Sequence, residues 1–162
     1  MTMNDRILQK EVYVHASADE IWRAWTTVEG VKRFFARDAR LEIEPGGRYE
    51  ILFDLEAPQG KQGSEKCTIL SFVPGRMLSF TWNAPPKYEK ARRQMAQWVV
   101  LLIEPKGKRT KVTLYELGWK SGKEGEAVYR YFDRAWNTVL HRLAYSFEHG
   151  PIDWKNPWRP GE

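Results

Sequence analysis

The sequence predicts an α+β fold in which a curved antiparallel sheet wraps around one long C-terminal helix. Three observations carry this. Residues 126–149 hold no Pro or Gly and repeat apolar side chains at helical spacing. Seven strand-like runs precede that stretch, most of them alternating apolar and polar residues and joined by short turns, as in an antiparallel meander. A helix-start signal, Ser17 followed three residues later by Glu20, sits between the first run and the second.

Each element has its own warrant. In residues 9–16, Val12, Val14 and Ala16 share one face and Glu11, Tyr13 and His15 the other, which is a half-buried strand. After the capping box, Ile21, Trp22, Trp25 and Val28 recur at helical spacing. A second short helix covers residues 31–35, with the kink expected at Glu29-Gly30. Leu41 and Ile43 form a strand that turns at Pro45-Gly46-Gly47. Tyr49, Ile51, Phe53 and Leu55 alternate along the next. Residues 68–73 are a strand closed by Pro74-Gly75, and Leu78, Phe80 and Trp82 alternate after it. Residues 85–93 read as a charged loop. Residues 98–103 are an apolar run, the basic stretch 106–111 a hairpin turn, and residues 110–117 a last strand. On the long helix, Val128, Phe132, Ala135, Trp136, Val139, Leu140, Leu143 and Phe147 make one stripe, with Gly150-Pro151 as the stop. The expected organisation is a single domain over residues 1–150 and a Trp- and Pro-rich tail, residues 151–162, packing on it.

Composition narrows the function classes. A chain of 162 residues suffices for one domain with a real core. The net charge of +5 is spread over separate segments, so specific nucleic-acid binding is not indicated. No apolar run approaches the ~20 residues of a membrane span. The N-terminal residues are polar, and the expected location is cytoplasmic. Cys67 is the one cysteine and reads as a small buried hydrophobe within a strand. His15, His141 and His149 are far apart in sequence, so no metal site and no cofactor is expected.

Strand, kinked helix pair, meander and terminal helix follow the order of the helix-grip fold. The pieces Val14-His15-Ala16-Ser17-Ala18-Asp19-Glu20-Ile21-Trp22, Pro45-Gly46-Gly47-Arg48-Tyr49 and Pro74-Gly75-Arg76-Met77-Leu78-Ser79-Phe80-Thr81-Trp82 sharpen it, with Trp136, Leu140 and Leu143 in the final helix. In these the sequence resembles the family of the C-terminal domain of the activator of heat-shock protein 90 ATPase. That family belongs to the superfamily (SRPBCC) of START lipid-transfer domains, the birch-pollen allergen and polyketide cyclases. The resemblance covers nearly the whole chain and implies a cavity for small hydrophobic or lipid-like molecules, or a chaperone partnership in stress response.

A sheet bent around a single helix leaves a gap beside the kinked arm. Trp22 or Trp25, Phe34, Phe35, Ile51, Phe53, Phe80, Trp82, Leu114, Phe132 and Trp136 are placed to wall it, or to fill it. Glu116 continues the alternation Val112, Leu114, and on a concave face it would be a carboxylate at the cavity's edge. The favoured alternative has it solvated or paired with an Arg. Catalytic motifs are absent; Glu116, with Tyr115 or Tyr129, is the candidate proton-transfer group should the cavity host a cyclase- or hydrolase-type reaction. The leading expectation is therefore a protein that binds a small apolar or aromatic ligand; a chaperone partner is the alternative. The run 98–103 is apolar on both faces, so its outer face calls for a cover. The tail with Trp154 and Trp158 is the preferred one, and the partner in a homodimer the other, so monomer and homodimer both stand.

Overall fold

The computed structural model describes residues 5–161; residues 1–4 of the polar N-terminal segment and Glu162 of the tail lie outside the described residues. The elements are β1 (Leu8–Val14), α1 (Ala18–Thr26), α2 (Val28–Phe34), β2 (Asp38–Leu41), β3 (Tyr49–Leu52), β4 (Ile69–Val73), β5 (Met77–Trp82), α3 (Glu89–Gln94), β6 (Gln97–Lys106), β7 (Arg109–Leu117) and α4 (Lys123–His149). Five strands pair antiparallel in the order β1-β7-β6-β5-β4, and β2 pairs with β3. Main-chain bonds Tyr49 N–H to Cys67 O and Ile69 N–H to Gly47 O tie the smaller sheet to the larger. The sheet curves around α4, whose Val128, Phe132, Trp136, Val139, Leu140 and Leu143 are buried. This is the helix-grip fold.

The first helix starts as its sequence dictates. Ser17 Oγ accepts the Glu20 N–H at 3.2 Å, and Glu20 Oε2 accepts the Ser17 N–H at 2.8 Å, so two otherwise unpaired donors are satisfied. The kink, however, falls at Thr27, where the backbone is extended (φ −124°, ψ 150°) and the hydroxyl caps α2 through the Gly30 N–H at 3.0 Å. Gly30 lies inside α2 instead of at the kink. A Cβ there would stand 2.3 Å from Arg23 O and 2.5 Å from the Ala24 Cα. Glycine is what lets the two helices fold against each other.

Several boundaries differ from expectation, each for a local reason. The strand expected at Leu41 and Ile43 lies earlier, because Asp38–Leu41 is the segment in register with Tyr49–Leu52. That strand's partner ends at Leu52, where the chain turns to bond Phe53 N–H to Gln62 O, leaving Phe53 and Leu55 exposed. The charged loop contains α3. Its N-cap residue, Tyr88, supplies no side-chain bond; the Ala91 N–H is accepted by Glu124 Oε1 of α4 at 2.7 Å instead. Finally, α4 begins at Lys123, with Gly125 inside its first turn.

Arg92 of α3 donates to the carbonyls of Ala84, Gly60 and Gly63, each at 2.7 Å, and to Glu65 Oε1 at 3.2 Å. The Glu65 carboxylate in turn accepts the N–H groups of Gly60, Gln62 and Gly63. One ion pair thus orders the long loop between β3 and β4.

The tail does not run over the outer face of β6. Gly150 turns the chain at φ 97°, and the Ile152 N–H bonds to Arg33 O, which carries the tail along α2 and α4. The Trp154 indole donates to Lys32 O at 2.8 Å. Trp158 stacks on Tyr145 with ring centroids 4.2 Å apart. On the outer face of β6, Trp98, Val100 and Leu102 remain half-buried, while Val99, Leu101 and Ile103 point into the core.

Candidate functional site

The interior between α4 and the sheet is built around a carboxyl group. Strand β7 stays paired with β6 as far as Leu117, so its inward face carries Val112, Leu114 and Glu116 without a break. Glu116 is completely buried. Its Oε1 accepts the Trp136 indole N–H at 2.6 Å, and its main-chain oxygen accepts the Trp119 indole N–H at 2.9 Å. Its Oε2 has no hydrogen-bond partner among the described residues. Burial holds this carboxyl well above the usual carboxylate range, and the Trp136 bond offsets that in part. The favoured alternative from sequence, a solvated or Arg-paired Glu116, is therefore overturned: the strand does not leave the interior before this residue, and its partner is an indole.

Aromatic rings enclose the carboxyl. Trp136 lies 5.3 Å from Trp82, 5.8 Å from Phe35 and 6.3 Å from Phe132, ring centre to ring centre. Trp25 meets Phe34 at 5.0 Å and Phe35 at 5.2 Å, both edge to face, the favoured geometry for ring pairs. The rings touch one another and fill this part of the interior. Phe53, 41% exposed, contacts Phe35 at 5.8 Å. An unbroken aromatic path thus runs from solvent at Phe53, through Phe35 and Trp136, to Glu116.

Most residues expected to wall the site meet here. Trp25, Phe34, Phe35, Trp82, Phe132 and Trp136 form the cluster, and Phe80 joins through Trp82 at 5.4 Å. Ile51 and Leu114 are fully buried in the same core. Trp22 is not in the cluster: the helical turn that sends Trp25 inward points Trp22 at Phe72 of β4, 6.1 Å away. Tyr115 does not join Glu116, since adjacent strand residues face opposite sides. Tyr129 packs on Trp119 under the Arg6 guanidinium.

Three residues of this interior are not among the expected site residues. Gln97 is buried and faces inward opposite Trp82; it shares the period-2 phase of Val99 and Leu101, the signal that would have found it. Tyr49 is buried against Phe80 at 4.3 Å and donates its hydroxyl to Trp25 O at 2.9 Å. Trp119 lies beyond the last strand and had no periodic signal. Among the described residues, four buried side-chain atoms lack a hydrogen-bond partner: Trp25 Nε1, Trp82 Nε1, Gln97 Oε1 and Glu116 Oε2. All four belong to residues of this interior.

Elsewhere, burial pushes the Cys67 thiol up to about 12, away from any thiolate chemistry at neutral pH. Among the described residues no three His, Cys, Asp or Glu side chains converge as a metal site, and no helix is long and apolar enough to cross a membrane. An open groove of about 530 Å³ lies on the surface between the helical arm and α4, lined by Arg23, Thr27, Gly30, Arg33, Phe147 and Pro151.

No curated protein matches the sequence. Solved structures resemble it in fold at low identity. The Aha1 dimer from Colwellia psychrerythraea is 18% identical, with a TM-score of 0.68 over 90% of this chain and 98% of that one. DynU16, from the dynemicin biosynthetic locus, is 20% identical, with a TM-score of 0.67 over 91% of this chain and 49% of that one. CalU16 from Micromonospora echinospora is 18% identical, with a TM-score of 0.63 over 88% and 76%. The family model described as Activator of Hsp90 ATPase homolog 1-like protein matches residues 15–148. That match runs from the end of β1 almost to the end of α4, and the chain belongs to this Activator of Hsp90 ATPase homolog 1-like family.

Proposed function

We propose that this protein binds a small apolar or aromatic molecule in its interior, between α4, the concave face of the sheet and the α1–α2 arm. The observation that carries the reading is the aromatic path from half-exposed Phe53 to a fully buried, half-unpartnered carboxyl. Each buried polar atom without a partner costs about 1–3 kcal/mol. A core selected for stability alone would replace Glu116 with a leucine. Retaining it, together with the unpaired atoms of Gln97, Trp82 and Trp25, suits a site whose polar groups are completed by a guest. The rings close on one another when the site is empty and part around the guest, with the break at Thr27 letting the arm move. The likeness in fold to DynU16, from the dynemicin biosynthetic locus, accords with the same reading. Binding is favoured over turnover because Glu116 has no second proton-transfer group beside it.

Titration with a neutral solvatochromic probe such as Nile red tests this. Saturable one-to-one binding with blue-shifted emission is expected; emission unchanged at high protein concentration would contradict it.

A second reading, a protein-interaction role as a homodimer or chaperone partner in stress response, draws on the half-buried Trp98, Val100 and Leu102 of the outer sheet face and on the dimeric Colwellia relative. Sedimentation as a dimer, lost in Val100→Lys, would favour it.

A further inference from the structure

We propose that the interior site takes a neutral aromatic hydroxy compound, its hydroxyl seated among Glu116, Gln97 and Trp82. This rests on the ligand-binding reading above and adds the ligand's chemical class.

The warrant is the placement of the unpaired atoms. Trp82 and Gln97 are direct cross-strand partners on β5 and β6. Glu116 on β7 is the partner of Val99, the next inward residue along β6. Gln97 and Glu116 are therefore diagonal neighbours on one face, roughly 7–8 Å apart. Trp82 touches Trp136, whose N–H holds the other Glu116 oxygen. Three neighbouring residues on one inward face thus each carry an unpaired polar atom among the described residues: Trp82 Nε1, Gln97 Oε1 and Glu116 Oε2. All three residues are more than nine-tenths buried.

Their chemistry defines a complement. An indole N–H only donates, and the Gln97 carbonyl oxygen only accepts. Burial raises the Glu116 carboxyl well above the usual carboxylate range and so favours the neutral form, whose second oxygen carries a proton and donates. Two donors and one acceptor face the guest. A hydroxyl accepts two hydrogen bonds and donates one, so a single group satisfies all three. A hydrocarbon satisfies none. A carboxylate has no hydrogen for Gln97 and brings a charge into a dry interior. An ammonium ion has nothing for Trp82 N–H to bond and requires Glu116 to ionise. The surrounding rings match an aromatic body.

The test is a series of naphthalenes titrated into the wild-type protein at neutral pH, followed by calorimetry: 1-naphthol, naphthalene, 1-methoxynaphthalene, 1-naphthoate and 1-naphthylmethylamine. The hydroxyl is expected to tighten binding at least about ten-fold over naphthalene and over the methyl ether, the factor that one or two buried hydrogen bonds supply. In Gln97→Leu the advantage of 1-naphthol over naphthalene, each measured on the variant itself, should fall below about three-fold. Equal binding of 1-naphthol and naphthalene overturns the proposal and leaves the ligand-binding reading standing. Tightest binding by the amine or the carboxylate overturns it in favour of a charged guest. If none of the five binds, both the proposal and the reading beneath it fail. The wild-type series decides the matter even if Gln97→Leu does not fold.

Discussion

The Trp136 indole donates its N–H to Glu116 Oε1 at 2.6 Å, joining α4 to β7 inside the core. The bond serves packing and polarity at once, and the two can be separated. Trp136→Ala removes the ring and should cost about 3–5 kcal/mol. Trp136→Phe keeps most of the ring and strips the donor, leaving both Glu116 oxygens unpaired, and should cost about 1–3 kcal/mol. Urea denaturation measures both. A loss below about 1 kcal/mol for Trp136→Ala would show that the ring is not packed as described.

Glu116 makes stability depend on pH. Its carboxyl in the folded protein lies well above the usual range because it is desolvated. In the unfolded chain it titrates near ~4.3. As pH rises above that value the unfolded state loses a proton that the folded state keeps, so stability falls with rising pH until the folded carboxyl ionises. Glu116→Gln, neutral throughout, lacks this loss. Relative to the variant, the wild type should lose stability progressively as pH rises above ~4.3, and the difference between the two should stop changing below that value. Denaturation midpoints measured across that range check this; parallel curves would mean that Glu116 is ionised in the fold.

Arg92 should hold the loop between β3 and β4. Its guanidinium reaches three carbonyls and Glu65. Arg92→Ala leaves those acceptors unpaired in a half-buried setting and should cost about 2 kcal/mol. Amide hydrogen exchange should quicken at Gly60, Gln62 and Gly63, whose N–H groups bond to Glu65, with little change on β7. Uniform acceleration across the chain would contradict a local role.

Gly30→Ala tests the helical arm. A Cβ at this position meets backbone atoms of Arg23 and Ala24 at 2.3–2.7 Å, so α1 and α2 must separate. Overpacking of this kind costs about 1–3 kcal/mol. Thermal denaturation should show the loss, whereas Glu29→Ala on the exposed neighbouring position should show almost none.

The fold was legible because its signals are local and repeated. Ser17 and Glu20 announce α1, the stripe from Val128 to Phe147 announces α4, and alternation marks β1, β5 and β7. What misled was tertiary in origin. Gly30 looked like a hinge, but its role is a close approach between helices that no local pattern encodes. Helix α3 is capped by Glu124 from α4 in place of a neighbour in sequence. The tail's aromatic residues suggested a cover for β6, but their partners, Lys32, Arg37, Arg142 and Tyr145, lie on or beside α2 and on α4. Most of the candidate site followed from aromatic placement on inward faces. The state of Glu116 did not, because whether a strand's last inward residue is solvated depends on how far its neighbour extends, and β6 extends far enough to keep it dry.

A guest held among the interior rings would be reported by the indole N–H signals of the protein's eight tryptophans in a ¹H–¹⁵N spectrum titrated with naphthalene. Trp25, Trp82 and Trp136 line the proposed site, whereas Trp154 and Trp158 lie on the outer surface of α2 and α4. Saturable shifts of the Trp25, Trp82 and Trp136 signals are expected, while those of Trp154 and Trp158 stay fixed. Shifts confined to Trp98, Trp154 and Trp158, or no shift at saturating naphthalene, would contradict it.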